Sequence, residues 1–274
     1  TAGLRGVLGA GTNRMNIYTV RQATQGFAND LNRQYEHPSV AIAYDSRIKS
    51  DLFAREAASV FAANGITAYL YPHLMPTPAL SFAVRHLGCQ GGVVVTASHN
   101  PSKYNGYKAY GPDGCQINLE TADRIHAEIV ATDLFEDVRR LPYEEGLQMG
   151  SIRLIGQEVE DAYLAAVLAE QRRPGVVKGS GLKVVYTPLN GAGRTCVTRA
   201  LQAIGLEQLT LVASQAEPDG TFPTCPYPNP EDAAALQEGL AVCRREDADL
   251  LIATDPDSDR VGIAVRDGAD YRLV

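Results

Sequence analysis

Short apolar runs alternate along the chain with longer stretches whose apolar residues recur at helical spacing. Residues 39–45 (SVAIAYD) and 66–71 (ITAYLY) are β-branched and aromatic runs that predict strands, and 50–63 (SDLFAREAASVFAA) between them predicts a helix. That is a βαβ pattern. A helix is predicted over 78–87, then a buried-looking strand GGVVV at 91–95 that runs straight into Thr-Ala-Ser-His-Asn-Pro at 96–101. Helical periodicity returns at 119–131 and 157–171, and the second stretch meets a stop at Arg172-Arg173-Pro174-Gly175.

A second unit of the same kind follows. It reads as strand 182–187 (LKVVYT), an Asn190-Gly191-Ala192-Gly193 turn, helix 194–204, strand 208–213 and a proline-rich connector, EPDGTFPTCPYPNP. Asn229-Pro230-Glu231 has the form of a helix start, so a helix is predicted over 231–245. It leads to strand 249–253 (DLLIA), which empties into Thr-Asp-Pro-Asp-Ser-Asp-Arg. The fold class is therefore α/β: two consecutive α/β domains, 1–175 and 176–274, with mainly parallel mixed sheets. Both polar loops lie beyond strand ends, where open parallel sheets bind ligands.

At 274 residues and 45% apolar content the chain can bury a substantial core. Its net charge of -7 argues against nucleic acid and anionic membrane as partners, since phosphate surfaces are bound by basic patches. No run of about 18 apolar residues is present and no leader is visible, so a cytoplasmic location is expected. The five cysteines show no CxxC or CxxH pair and read as reduced thiols. The opening TAGLRG lacks an initiator Met, and Arg5 between Gly3 and Gly6 looks like the inside of a loop.

Three groups of residues carry chemistry. Ser98 is delivered by a buried strand and exposed by a turn that Pro101 enforces. It lacks the GxSxG context of a hydrolase, and adjacent His99 would point away from it on an extended backbone. Asp255, Asp257 and Asp259 alternate, which puts their carboxylates on one face of an extended segment; like charges so close call for a cation. With oxygen donors alone, the set points to magnesium, the alternative being a solvated acidic turn. A calcium EF-hand loop fails, because Arg260 and Arg266 stand where it needs Gly and Glu. A phosphatase with Asp255 as nucleophile remains as an alternative, although it leaves the Ser98 segment unexplained. Lys108 could fold back toward the serine as a base, and Arg5 and Arg260 could grip phosphate or simply face solvent. The Gly191-Ala192-Gly193 turn lacks the third glycine of a dinucleotide fingerprint, since Cys196 occupies that position.

Taken together, TAGLRG, TASHNPSKYNGYKAY and TDPDSDRVG resemble, in this order, the signature segments of the α-D-phosphohexomutases. TAGLRGVLGAGTNRMN, YTPLNGAG and FPTCPYPNPE resemble the phosphoglucomutase and phosphopentomutase branch. The resemblance spans the chain as the first two domains of a four-domain architecture, and it implies C-terminal domains of the same polypeptide as partners. It also implies that Ser98 carries phosphate, that Asp255, Asp257 and Asp259 hold Mg2+ against it, and that Lys108 moves a proton. Arg5, His99, Asn100 and Arg260 would surround the reacting phosphate. The implied reaction interconverts glucose 1-phosphate and glucose 6-phosphate through glucose 1,6-bisphosphate, with pentose and mannose phosphates as alternative substrates. A non-catalytic phosphosugar-binding module is the remaining alternative.

Overall fold

A computed structural model of the chain describes residues 3–274, so Thr1 and Ala2 of the opening segment lie outside the described residues. One compact unit takes in the chain up to Asp45, then Lys49–Ala97 and Lys103–Val159. Its elements are β1 (Gly3–Val7), α1 (Ile17–Gln34), β2 (Ser39–Tyr44), α2 (Ser50–Ala63), β3 (Thr67–Leu70), α3 (Thr77–His86), β4 (Gly91–Val95), β5 (Tyr104–Tyr110), α4 (Leu119–Ala131), α5 (Tyr143–Met149) and β6 (Ile152–Leu154). They build a six-stranded sheet in the order β1-β5-β4-β2-β3-β6. The run from β4 to β6 is parallel, while β1 and β5 are antiparallel to their neighbours. Val40 to Tyr44 of β2 and all of β4 are buried. Successive strand residues face opposite sides, so both faces of the sheet are covered, as its parallel strands require.

The opening segment is a strand and not the loop expected around Arg5. Gly3 pairs with Lys108 and Arg5 with Gly106. A run as short and polar as GLRG gives no periodic signal; its backbone donors are satisfied by β5 instead.

The second unit comprises Ser46–Ile48, Ser98–Ser102 and Glu160–Val274. The change at Glu160 falls within α6 (Gln157–Ala169), upstream of the Arg172-Arg173-Pro174-Gly175 stop where the sequence placed it near 175. After α6 come β7 (Lys183–Thr187), α7 (Gly193–Ala203), β8 (Gln208–Leu211), α8 (Ala213–Ala216), α9 (Gln237–Glu246), β9 (Leu250–Thr254), β10 (Val261–Asp267) and β11 (Asp270–Leu273). The five-stranded sheet has the order β11-β10-β9-β7-β8, with β8, β7 and β9 parallel and β10 and β11 antiparallel. Its core gathers Val185, Val212, Leu236, Leu240, Leu251, Ala253 and Ala264.

The helix expected over 231–245 starts only at Gln237. Asn229 Oδ1 accepts from the Glu231 N–H at 3.3 Å and Asp232 Oδ1 from the Ala234 N–H at 2.9 Å. Two successive side-chain turns thus hold the backbone out of the helix, the usual competition offered by Asn and Asp. Among the described residues no helix is long and apolar enough to cross a membrane.

Candidate active site

The apolar run of β4 ends at Val95, and Ser98 follows in the left-handed region at φ +52°. For a residue with a Cβ that conformation is unfavourable by about 1–2 kcal/mol and persists only where the surroundings impose it. Ser98 is buried, and its Oγ donates to Asp255 Oδ2 at 2.8 Å. His99 Nδ1 lies 3.3 Å from the same Oγ. The sequence expectation that His99 points away assumed an extended backbone, and the left-handed turn at Ser98 removes that premise. An edge-on contact with Tyr227, with centroids 5.7 Å apart, holds the imidazole.

β9 delivers the aspartates as a tight turn and not as the extended segment expected. The Ser258 N–H donates to the Asp255 carbonyl at 2.9 Å, and Ser258 itself takes φ +53°. Among the described residues, Asp255, Asp257 and Asp259 each offer one carboxylate oxygen within 4.8 Å of the other two, the first two residues fully buried and the third exposed. Asp255 Oδ1 accepts from the N–H groups of Asp259 and Arg260, both at 3.1 Å. Burial, followed by the charges of Asp257 and Asp259, pushes Asp255 up to about 8 against the lowering effect of the Ser98 hydroxyl.

These donors fit a small divalent cation. Each pair of charges at this separation repels by about 3 kcal/mol at an effective dielectric of 20, and a cation turns that repulsion into attraction. An all-carboxylate donor set suits magnesium. The loop is also supported from below, where the Ala192 N–H donates to the Pro256 carbonyl at 2.8 Å. This gives the Asn190–Gly193 turn a role that its sequence did not disclose.

The other expected residues are distributed over both units. Lys108 is half-buried on β5 and Arg5 exposed on β1. Because Arg5 pairs with Gly106, two positions from Lys108, both occupy the same face of the first sheet. Asn105, next to them on β5, is fully buried: its Nδ2 donates to Ser50 Oγ at 3.0 Å, and Ser50 Oγ to Asp45 Oδ1 at 2.8 Å. Thr96 Oγ1 donates to Asp45 Oδ2 at 2.7 Å, which fastens the end of β4 to the end of β2. In the second unit, Arg260 pairs with Glu231 at 3.2 Å on the surface, and Asn100 is half-buried. Sequence reasoning passed over Arg47, whose guanidinium donates to the carbonyls of Ser98 at 2.5 Å, of Pro101 at 3.1 Å and of Asn100.

Residues 1–135 match the model of the phosphoglucomutase/phosphomannomutase α/β/α domain I, and residues 161–268 match that of domain II. The chain belongs to the α-D-phosphohexomutase superfamily. It is 41% identical over 269 residues to a phosphoglucomutase of Staphylococcus epidermidis, covering 97% of this chain and 48% of the relative. A Staphylococcus aureus phosphoglucomutase is 39% identical over the same shares. The chain thus spans about half the length of the curated phosphohexomutases it matches. A Thermus thermophilus protein assigned as a phosphomannomutase superposes with a TM-score of 0.83 at 30% identity, over 99% of this chain and 57% of that one. A phosphoglucomutase/phosphomannomutase family protein of Burkholderia thailandensis shares the fold, with a TM-score of 0.77 at 24% identity over 100% and 55%.

Proposed function

We propose that this chain supplies the phosphoserine and metal-binding residues of a phosphohexose mutase that interconverts glucose 1-phosphate and glucose 6-phosphate. The observation that carries the reading is the 2.8 Å hydrogen bond from Ser98 Oγ to Asp255 Oδ2, which joins a hydroxyl on a left-handed turn to a buried carboxylate cluster. Asp255, Asp257 and Asp259 would hold Mg2+, which when bound neutralises charge on the adjacent phosphate.

Phosphorylated Ser98 gives its phosphoryl group to a hydroxyl of the bound sugar phosphate. The bond from phosphorus to Ser98 Oγ breaks, a bond to the sugar oxygen forms, and the sugar's proton passes to Lys108. His99, 3.3 Å from Ser98 Oγ, returns a proton to the departing serine oxygen. Glucose 1,6-bisphosphate is the intermediate, and it hands its other phosphate back to Ser98 after turning over. Arg5, Asn100 and Arg260 bind phosphate oxygens during these steps, and exclusion of water prevents loss of the phosphoryl group.

Glucose is assigned from the staphylococcal relatives; mannose phosphate, suggested by the Thermus protein's description, and pentose phosphate are the competing substrates. The family's C-terminal domains complete the sugar site, and the cytoplasm, which holds sugar phosphates, is the proposed location. A phosphatase using Asp255 is disfavoured because it leaves unexplained the left-handed turn that presents Ser98 Oγ to that carboxylate. The test is intact mass and peptide mapping of the complete protein after incubation with Mg2+ and glucose 1,6-bisphosphate. One acid-stable phosphoryl group on Ser98 is expected, and an acid-labile one on Asp255 would replace this reading with the phosphatase.

A further inference from the structure

We propose that Arg47 is the positioning residue of the Ser98 loop: its guanidinium holds the backbone in the turn that presents Ser98 Oγ to Asp255. This rests on the reading of Ser98 as the phosphoryl carrier. Arg47 is only 3% exposed, and a buried guanidinium is stable only when its donors are engaged. Its two terminal nitrogens are engaged by the carbonyls of Ser98, Asn100 and Pro101, three acceptors from one short loop converging on one planar fork, while Nε is left with no hydrogen bond. Such a fork fixes several directions at once, which a lysine ammonium does not.

The clamp has a geometric consequence. In a trans peptide the C=O and the following N–H point in opposite directions. Drawing the Ser98 and Pro101 carbonyls toward Arg47 therefore turns the N–H groups of His99 and Ser102 to the other side of the loop. The same pull offsets the cost of the left-handed turn at Ser98. Without it the loop relaxes toward negative φ, and the hydroxyl leaves Asp255.

Arg47 is itself held by the proline-rich connector. Its guanidinium carbon sits 5.0 Å from the centroid of Phe222, a fully buried ring on a residue at φ +50°. Gly220 approaches the 46–48 backbone so closely that a Cβ there would stand 2.5 Å from the Ile48 nitrogen and 2.7 Å from the Ser46 carbonyl oxygen. The connector therefore seats Arg47, and Arg47 sets the loop.

The experiment compares the complete protein with Arg47→Met, which keeps an unbranched apolar stem without the fork, and Arg47→Lys. Amide exchange over 98–102 and phosphate uptake by Ser98 from glucose 1,6-bisphosphate are both followed. Arg47→Met should speed exchange in the loop by about tenfold or more, the loss of at least one net charged hydrogen bond, with exchange in β9 unchanged. Phosphate uptake should slow by about a hundredfold, the penalty of a small misplacement of the reacting atom, while Mg2+ affinity of the unphosphorylated protein is retained. Arg47→Lys should recover part of both. Should Arg47→Met fail to fold, Phe222→Leu removes the ring beneath the guanidinium and should move both readouts the same way by less. Unchanged loop exchange or unchanged uptake in the variant overturns the proposal. Wild-type protein that takes no phosphate overturns the mutase reading instead, and the exchange rates then decide the clamp.

Discussion

Gly191 lies against Pro256 with no room for a side chain between them: a Cβ on Gly191 would stand 2.6 Å from the Pro256 carbonyl oxygen and 2.8 Å from its carbonyl carbon. The turn after β7 is therefore the floor of the acidic loop. Gly191→Ala should lower stability by about 1–3 kcal/mol, the range for overpacking a tight contact. It should also weaken Mg2+ binding, because the loop must lift to admit the methyl group. Thermal melts with and without Mg2+, with a calorimetric titration, separate the two effects. Full Mg2+ affinity in a destabilised variant would show that the floor does not set the loop.

Ser98→Ala in the complete protein should abolish nearly all mutase activity and leave Mg2+ affinity almost intact, since the aspartates supply most of the proposed ligands. Turnover in a coupled glucose 1-phosphate assay and a metal titration check this. Substantial activity in the variant would end the carrier role.

Asp257→Asn should reduce turnover by several orders of magnitude without unfolding the protein. The acidic loop is strained by like charges, so removing one relieves repulsion even as it weakens the metal site. Without metal the variant should melt no lower than the parent. A clear drop would assign the loop a structural role.

A further prediction concerns Glu56, which is buried on α2 and accepts from Arg21 Nε at 2.7 Å and Arg140 Nε at 2.8 Å. Burial raises its pKa, but the hydrogen bonds and charges of the two arginines outweigh that and leave it lowered. Glu56→Gln should cost about 1–2 kcal/mol at neutral pH, discounted because solvent screens the partly exposed Arg140. A lowered carboxylate stabilises the fold above its unfolded pKa near 4.3, and that contribution is lost as pH falls through the folded value. Urea unfolding from pH 7 to pH 3 should therefore show the two proteins converging below about pH 4.

How much of this was legible in the sequence differs by element. The helix over 50–63 carried clear periodicity and the strand at 91–95 an unbroken apolar run, and the structure has them at those residues. α1 did not, because its buried face includes Thr24, Gln25 and Asp30. Those groups are accommodated by partners far along the chain or one turn away, such as Asn64 for Gln25 and the Val20 carbonyl for Thr24, which periodicity does not register. At the site, the serine and the three aspartates were visible as chemistry. Their geometry was not, since two left-handed residues, Ser98 and Ser258, bend both loops away from the extended form that alternation suggested. Arg47 and Gly191 were invisible for a related reason: they act on backbone atoms of distant segments, and backbone atoms leave no mark in a sequence.

The membership of Ser98–Ser102 in the second compact unit has a consequence for biosynthesis. Ser98 and Asp255 are 157 positions apart along the chain. At translation rates of roughly 5–20 residues per second, the ribosome makes the serine about 8–30 s before the carboxylate that receives its hydrogen bond. Over that interval a nascent chain can complete the sheet of its first unit while the Ser98 hydroxyl still lacks its carboxylate partner. The Ser98–Asp255 contact is thus among the last features to form.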